Sequence, residues 1–174
     1  PDYGLMQPAS FIQLAEEVGL IREIGAWVME AACRQIQSWH QRGLGWVRVA
    51  VNVSPLDLVS DEIIQRVNGN LLKYEIPPAC LELEITESIA MFNEESTIAT
   101  LADLRAIGIQ LAIDDFGTGY SSLSYLKRFP LHKLKIDKSF VQDINVNEEG
   151  ASIVKAIIFL AQNLKLQVIA EGVE

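Results

Sequence analysis

Basic residues are scarce in this chain. Its 174 residues hold 14 Lys and Arg against 23 Asp and Glu, a formal net charge of −9. Sequence-independent binding to nucleic acid rests on clustered Lys and Arg against phosphate. A DNA or RNA polymer is therefore excluded as that kind of partner, and an anionic membrane surface with it. A small phosphorylated substrate stays open where metal ions intervene. Cysteine is nearly absent: Cys33 and Cys80 are the only two. They lack metal-ligand spacing and read as buried reduced thiols of a cytoplasmic protein. His40 and His132 are the only histidines; neither ends an expected strand, and both read as structural or solvent-facing. Trp27, Trp39 and Trp46 read as core or domain-contact residues rather than base-stacking platforms. No apolar run reaches the roughly 18 residues of a membrane span. The most apolar helix candidate, Ile153 to Leu164, is broken by Lys155, so no direct membrane insertion is expected. No signal-peptide pattern is present. The opening Pro1-Asp2-Tyr3-Gly4 has no initiator Met and reads as a turn within a longer protein.

What is there is ordinary globular composition, 49% hydrophobic and 21% charged. A mean hydropathy of +0.19 suits strands buried on both faces. Apolar spacing predicts helices over residues 8–18, 20–41, 56–74, 93–107, 123–128 and 151–163, and strands over 46–53, 81–86, 109–113, 134–137 and 166–170. Strand and helix alternate, which implies βαβ units and a parallel sheet. A closed TIM-type barrel of eight units runs to about 250 residues, more than this chain holds. Yet the strands recur about every 30 residues, the period of such a barrel. The expectation is α/β: an incomplete TIM-type (β/α) barrel with about five parallel strands.

In parallel α/β folds the chemistry sits at the carboxyl ends of the strands. The polar residues there are Asn52, Glu84 with Glu87, Asp114 with Asp115, Lys135 with Asp137, and Glu171 with Glu174. Crowded carboxylates repel, and their pKa values rise unless a cation is present. Oxygen donors without His or Cys select hard cations, Mg2+ or Mn2+. Adjacent carboxylates such as Asp114-Asp115 can reach two ions, and two ions about 3.5–4 Å apart suit phosphoryl displacement. The run Gly117-Thr118-Gly119-Tyr120-Ser121-Ser122 lacks the Lys of a P-loop and the third Gly of a dinucleotide fingerprint. It reads as a mobile active-site loop. A strand-end lysine also admits a Schiff-base reading for Lys135, but nearby carboxylates should keep it protonated.

Five runs together resemble the EAL domain family of bacterial cyclic-di-GMP phosphodiesterases: Val51-Asn52-Val53-Ser54, Leu83-Glu84-Ile85-Thr86-Glu87-Ser88, Asp114-Asp115-Phe116-Gly117-Thr118-Gly119-Tyr120-Ser121-Ser122, Leu134-Lys135-Ile136-Asp137 and Val168-Ile169-Ala170-Glu171-Gly172-Val173-Glu174. The resemblance covers residues 1–174 as one partial domain and implies a modified TIM barrel. It implies that Asn52, Glu84 and Asp114 hold one Mg2+ or Mn2+, and that Asp114 bridges to a second ion shared with Asp115. Lys135 would orient the attacking water. Glu171 would act in the metal site and as general base, and Glu174 would lie near substrate. Glu87 would pin the loop carrying Thr118, Gly119 and Ser121, which family members use to couple metal binding to dimerisation. The implied product is linear pGpG. Also implied are a homodimer and attached GGDEF-type or sensory domains. The signature Glu-Ala-Leu is not in the chain and is expected upstream of Pro1; a strand carrying a functional Gln is expected beyond Glu174. The alternative is a cyclic-di-GMP receptor that binds without turnover.

Overall fold

The structure, a computed structural model, describes residues 4, 6–58, 62–90, 94–118, 126–144 and 148–173. A 3-10 turn at Pro8–Ser10 leads into α1 (Ile12–Glu17) and the long α2 (Ile21–Gln41). There follow β1 (Val49–Asn52), α3 (Pro55–Leu58), α4 (Glu62–Tyr74), β2 (Leu81–Thr86), α5 (Glu87–Ala90), α6 (Glu94–Ile107) and β3 (Gln110–Phe116). The chain continues through β4 (Lys133–Ile136), α7 (Lys138–Asp143), α8 (Glu148–Asn163) and β5 (Gln167–Ala170).

The five strands among the described residues pair in parallel, in the order β1-β2-β3-β4-β5. Strands adjacent in sequence are adjacent in the sheet, with no reversal of order. That is the wall of a (β/α) barrel and not a doubly wound sheet. No helix among the described residues is long and apolar enough to cross a membrane.

Alternation sorts the strands into two faces. Leu81, Leu83, Ile85, Leu111, Ile113, Leu134 and Ile136 pack under the helices with Ile36, Val67, Leu101, Leu104 and Ala161. The opposite face was expected to be apolar as well. It is buried in β2 to β4 but carries charge: Glu82, Glu84, Asp114, Lys133 and Lys135 are each no more than 9% exposed. They are tolerated because they are paired. Lys133 bonds Glu82, with Arg48 3.8 Å from the same carboxylate. Lys135 serves the layer above.

Several element boundaries differ from the sequence reading. The strand expected from Trp46 begins at Val49, because its register with β2 starts at the Val49–Leu81 pair. Trp46 instead stacks on His40, ring centroids 3.7 Å apart. Of the helix expected over 56–74, the structure describes α3 and α4, and residues 59–61 lie outside the described residues. The last helix starts at Glu148 rather than at residue 151. β3 runs on through both aspartates to Phe116, with a register shift against β4 between Ile113 and Phe116. Residues 123–125 of the helix expected over 123–128 lie outside the described residues. His132 accepts a hydrogen bond at Nδ1 from the Leu111 amide, 3.1 Å, and burial depresses its pKa. Cys33 is fully buried, and burial pushes its thiol up to about 11.

Asp57 ties the first helices together. It is 5% exposed and accepts from Arg66 at 2.8 Å and from the Ser54 hydroxyl at 2.8 Å. Gly25 on α2 lets the helices close over it, since a Cβ there would stand 3.0 Å from Asp57 Oδ2. Arg66→Met leaves that carboxylate buried without its cation. The expected cost is about 3 kcal/mol of unfolding free energy, read from urea denaturation.

Candidate active site

The register brings the expected residues to one end of the sheet. Asn52 stands beside Glu84, and Thr86 beside Asp114. Lys135 Nζ lies 3.0 Å from Glu84 Oε1, 3.0 Å from Asp114 Oδ2 and 2.7 Å from Glu171 Oε1. One ammonium thus joins carboxylates from β2, β3 and the residue after β5. Burial alone would lower the lysine pKa. The hydrogen bonds to Glu171, Glu84 and Asp114 outweigh it and hold Lys135 above its ordinary value. A permanently charged lysine is no Schiff-base nucleophile, so that reading falls.

Asp115 faces a second cluster. It adopts φ +53, left-handed backbone in the last turn of β3. Aspartate tolerates this conformation better than most residues, and its short side chain bonds locally. Its amide donates to Asp114 Oδ1 at 2.9 Å, and the Thr118 hydroxyl donates to its carbonyl at 2.8 Å. The bulge brings Asp114, Asp115 and Glu171 together, with one oxygen from each within 4.8 Å of the others. Burial, then the charges of Asp114, Asp137 and Glu171, push the Asp115 carboxyl up. Burial likewise raises Glu84 against the pull of Lys135. These are carboxylates short of positive charge. The all-oxygen donor set fits a hard divalent cation, and Asn52, exposed at its strand end, adds a neutral oxygen beside Glu84.

Glu87 begins α5, a short helix not expected from the sequence, and is 2% exposed. Its Oε2 accepts from the amide of Gly117, the first residue after β3, at 2.9 Å. Thr118 is exposed beside Asp115. Gly119, Ser121 and Glu174 lie outside the described residues. Asp137 follows the last residue of β4. It caps α7 by accepting from the Ser139 amide at 2.9 Å, and the bonds from Ser139 lower its pKa. Its charge is one of those that push the Asp115 carboxyl up. A polar residue directly before Lys138-Ser139 is the cap signature that marks it.

A cleft of about 480 Å3 beside β1 is lined by Ile12, Ile21, Ile24, Val28 and Val51, with Asn52 and Thr86. It is apolar and includes none of the four carboxylates around Lys135 and Asp115. It meets the strand ends at Asn52 and Thr86.

The pKa shifts set a pH dependence for the metal-free protein. Glu84 and Asp115 bind protons more tightly folded than unfolded. Over the range between ordinary and raised values the folded state carries more protons, so stability falls as pH rises. Lys135 is protonated throughout that range, and the lowered groups Asp137 and Glu30 act only at or below the ordinary carboxylate range. His132, held below its ordinary value by burial, acts in the opposite sense; with His132→Gln removing it, the melting temperature of chelator-treated protein is expected to rise as pH is lowered toward the ordinary carboxylate range. Mg2+ should flatten that slope.

The chain matches the family described as EAL domain over residues 1–174. It is 48% identical over 174 residues to the signaling protein YkoW of Bacillus subtilis (strain 168), covering 100% of this chain and 22% of that protein. It is 44% identical over 174 residues to the bifunctional diguanylate cyclase/cyclic di-GMP phosphodiesterase MucR of Pseudomonas aeruginosa, covering 100% of this chain and 25% of that protein. The chain thus spans about a quarter of these curated relatives. A solved structure described as PaMucR phosphodiesterase in complex with c-di-GMP superposes with a TM-score of 0.94 at 44% identity, covering 100% of this chain and 70% of that one.

Proposed function

Because the chain belongs to the EAL domain family, we propose that the protein hydrolyses cyclic-di-GMP to linear pGpG, using two divalent cations, Mg2+ or Mn2+, at the strand ends. One observation carries this: Lys135 stands among Glu84, Asp114 and Glu171 beside the Asp114–Asp115–Glu171 cluster. Asn52, Glu84 and Asp114 hold one cation, and Asp114 with Asp115 holds the second. The chemistry such cations would supply when bound is polarisation of the phosphodiester and activation of water near neutral pH.

The residues divide the remaining work by burial and charge. The Glu84 and Asp114 side chains are 9% and 12% exposed, while that of Glu171 is 32% exposed. Glu171 alone of the three meets both the ammonium and solvent. It accepts the proton of the attacking water as the new P–O bond forms; the P–O bond to the leaving 3′ oxygen breaks, and that oxygen takes its proton from solvent. Lys135 cannot give up its proton at neutral pH, so it orients the water and offsets charge on the phosphate. Glu87 holds Gly117 and with it the approach to Asp115. Glu174 contacts substrate. The greater length of the relatives supports attached sensory or GGDEF-type domains, and a homodimer is part of the same proposal.

The test is incubation of the full-length protein with cyclic-di-GMP and Mg2+ or Mn2+, with products separated by chromatography. One product, pGpG, is expected, and a chelator should stop its formation. Tight binding with no product would leave the receptor reading in its place.

A further inference from the structure

Three glycines from three segments close on one short helix. A Cβ on Gly117 would lie 2.8 Å from the Phe140 ring, and one on Gly172 would lie 2.8 Å from Lys138 Cβ. One on Gly150 would lie 2.8 Å from both the Cβ and the carbonyl oxygen of Asp143. Phe140, Lys138 and Asp143 all belong to the six-residue α7. Gly117 and Gly172 also hold φ values of +102 and +69, which L side chains rarely adopt. So α7 is packed against the segment after β3, the segment after β5 and the first turn of α8, at distances that exclude any side chain.

Two of those glycines adjoin the carboxylate cluster. Gly117 lies two residues after Asp115, and Gly172 directly follows Glu171. The Gly117 amide is held by Glu87 at 2.9 Å, while the Phe140 ring bears on the same glycine. The Glu171 amide donates to Ile136 O at 3.2 Å, two residues before α7 begins. Asp115 and Glu171 come from different strands, and α7 is the body packed against the chain beside both.

Resting on the metal-site reading above, we propose that Phe140 is a positioning residue whose ring fixes the spacing of Asp115 and Glu171 for cation binding. Phe140 offers no donor atom. Its half-buried ring fills the space under Gly117, where no side chain fits on the glycine itself. Truncating it lets the segment after β3 sink toward α7 and carries Asp115 away from Glu171. Ligand geometry must hold to about 0.5 Å for a preorganised site, so a small displacement weakens binding.

The test uses full-length protein and Mn2+ alone, with free Mn2+ measured by electron paramagnetic resonance and cyclic-di-GMP turnover measured in parallel. Phe140→Ala is expected to weaken Mn2+ binding by about tenfold, as for residues that orient ligands without touching the metal. Phe140→Leu, which keeps most of the bulk, should recover most of the affinity. Leu104→Ala is the control: Leu104 is fully buried on α6, and its carbonyl accepts from Ile109 at the start of β3, the end away from the site. It should lower the melting temperature while leaving Mn2+ affinity unchanged. In a cycle with Gly172→Ala, the double variant should lose less affinity than the product of the two single losses, because both act through α7. Mn2+ affinity in Phe140→Ala equal to wild type overturns the proposal and leaves the hydrolase reading intact. If Phe140→Ala does not fold, Phe140→Val, which also empties most of the ring's space, takes its place, and wild-type Mn2+ affinity in that variant overturns the proposal. A wild-type protein that binds Mn2+ but makes no pGpG overturns only the hydrolase reading. One that binds no Mn2+ overturns both.

Discussion

Glu171→Gln is expected to lower kcat for cyclic-di-GMP hydrolysis by about a thousandfold while the protein stays folded. The substitution keeps the size of the side chain and an oxygen that still accepts from Lys135, now 2.7 Å from Glu171. What disappears is the charge and the ability to take a proton. Glu171 is the carboxylate of the Lys135 group most open to solvent, the position a general base needs in order to exchange its proton with water. It is also one of the three groups that meet within 4.8 Å, so Mn2+ affinity should fall too. Turnover at saturating Mn2+ separates the effects: activity that returns fully means a ligand role alone, and activity that stays low means the proton transfer has been lost. Stopped-time product assays across Mn2+ concentration measure this.

Lys135→Met is expected to have the second large effect, in two directions. Turnover falls about 100- to 1,000-fold, the range seen when a preorganised charge-stabilising group is removed. Metal-free protein also loses about 3 kcal/mol of stability, because Glu84, Asp114 and Glu171 lose their shared cation in a buried place. The two losses respond differently to added Mg2+. A divalent cation replaces the missing positive charge, so the melting temperature of Lys135→Met should rise more with Mg2+ than that of wild type. Turnover should not recover, since the group that orients water is gone. Lower pH should also narrow the stability gap, because Glu84 already has a raised pKa and protonates early. A variant with wild-type turnover would remove Lys135 from the chemistry.

Much of this arrangement is legible along the chain. β-branched and apolar runs about 30 residues apart mark the barrel wall, and the polar residue closing each run marks the site. The links that stayed hidden are of two physical kinds. The first is pairing at a distance: Glu82 reads as one polar residue of an alternating strand, and its partner Lys133 is 51 residues away. Nothing local reveals that this face is charged and buried. The second is backbone geometry. Asp115 in left-handed conformation inside β3 has no composition signal, since the strand was expected to stop at Ile113. The bulge is what brings Asp115 round to Glu171. Helix α7 was missed because its six residues are too few for a helical period to show, although the Asp137 cap stands in the sequence. The Trp46 boundary failed for the opposite reason: strand-forming residues there have no partner on β2 before Leu81.

The most direct test of the central claim is a crystal structure of the full-length protein grown with Mn2+ and located by anomalous scattering. Two Mn2+ peaks about 3.5–4 Å apart are predicted, one against Asn52, Glu84 and Asp114 and the other against Asp114 and Asp115, with Glu171 beside them. Anomalous density elsewhere, or none at these carboxylates at saturating Mn2+, would contradict the account.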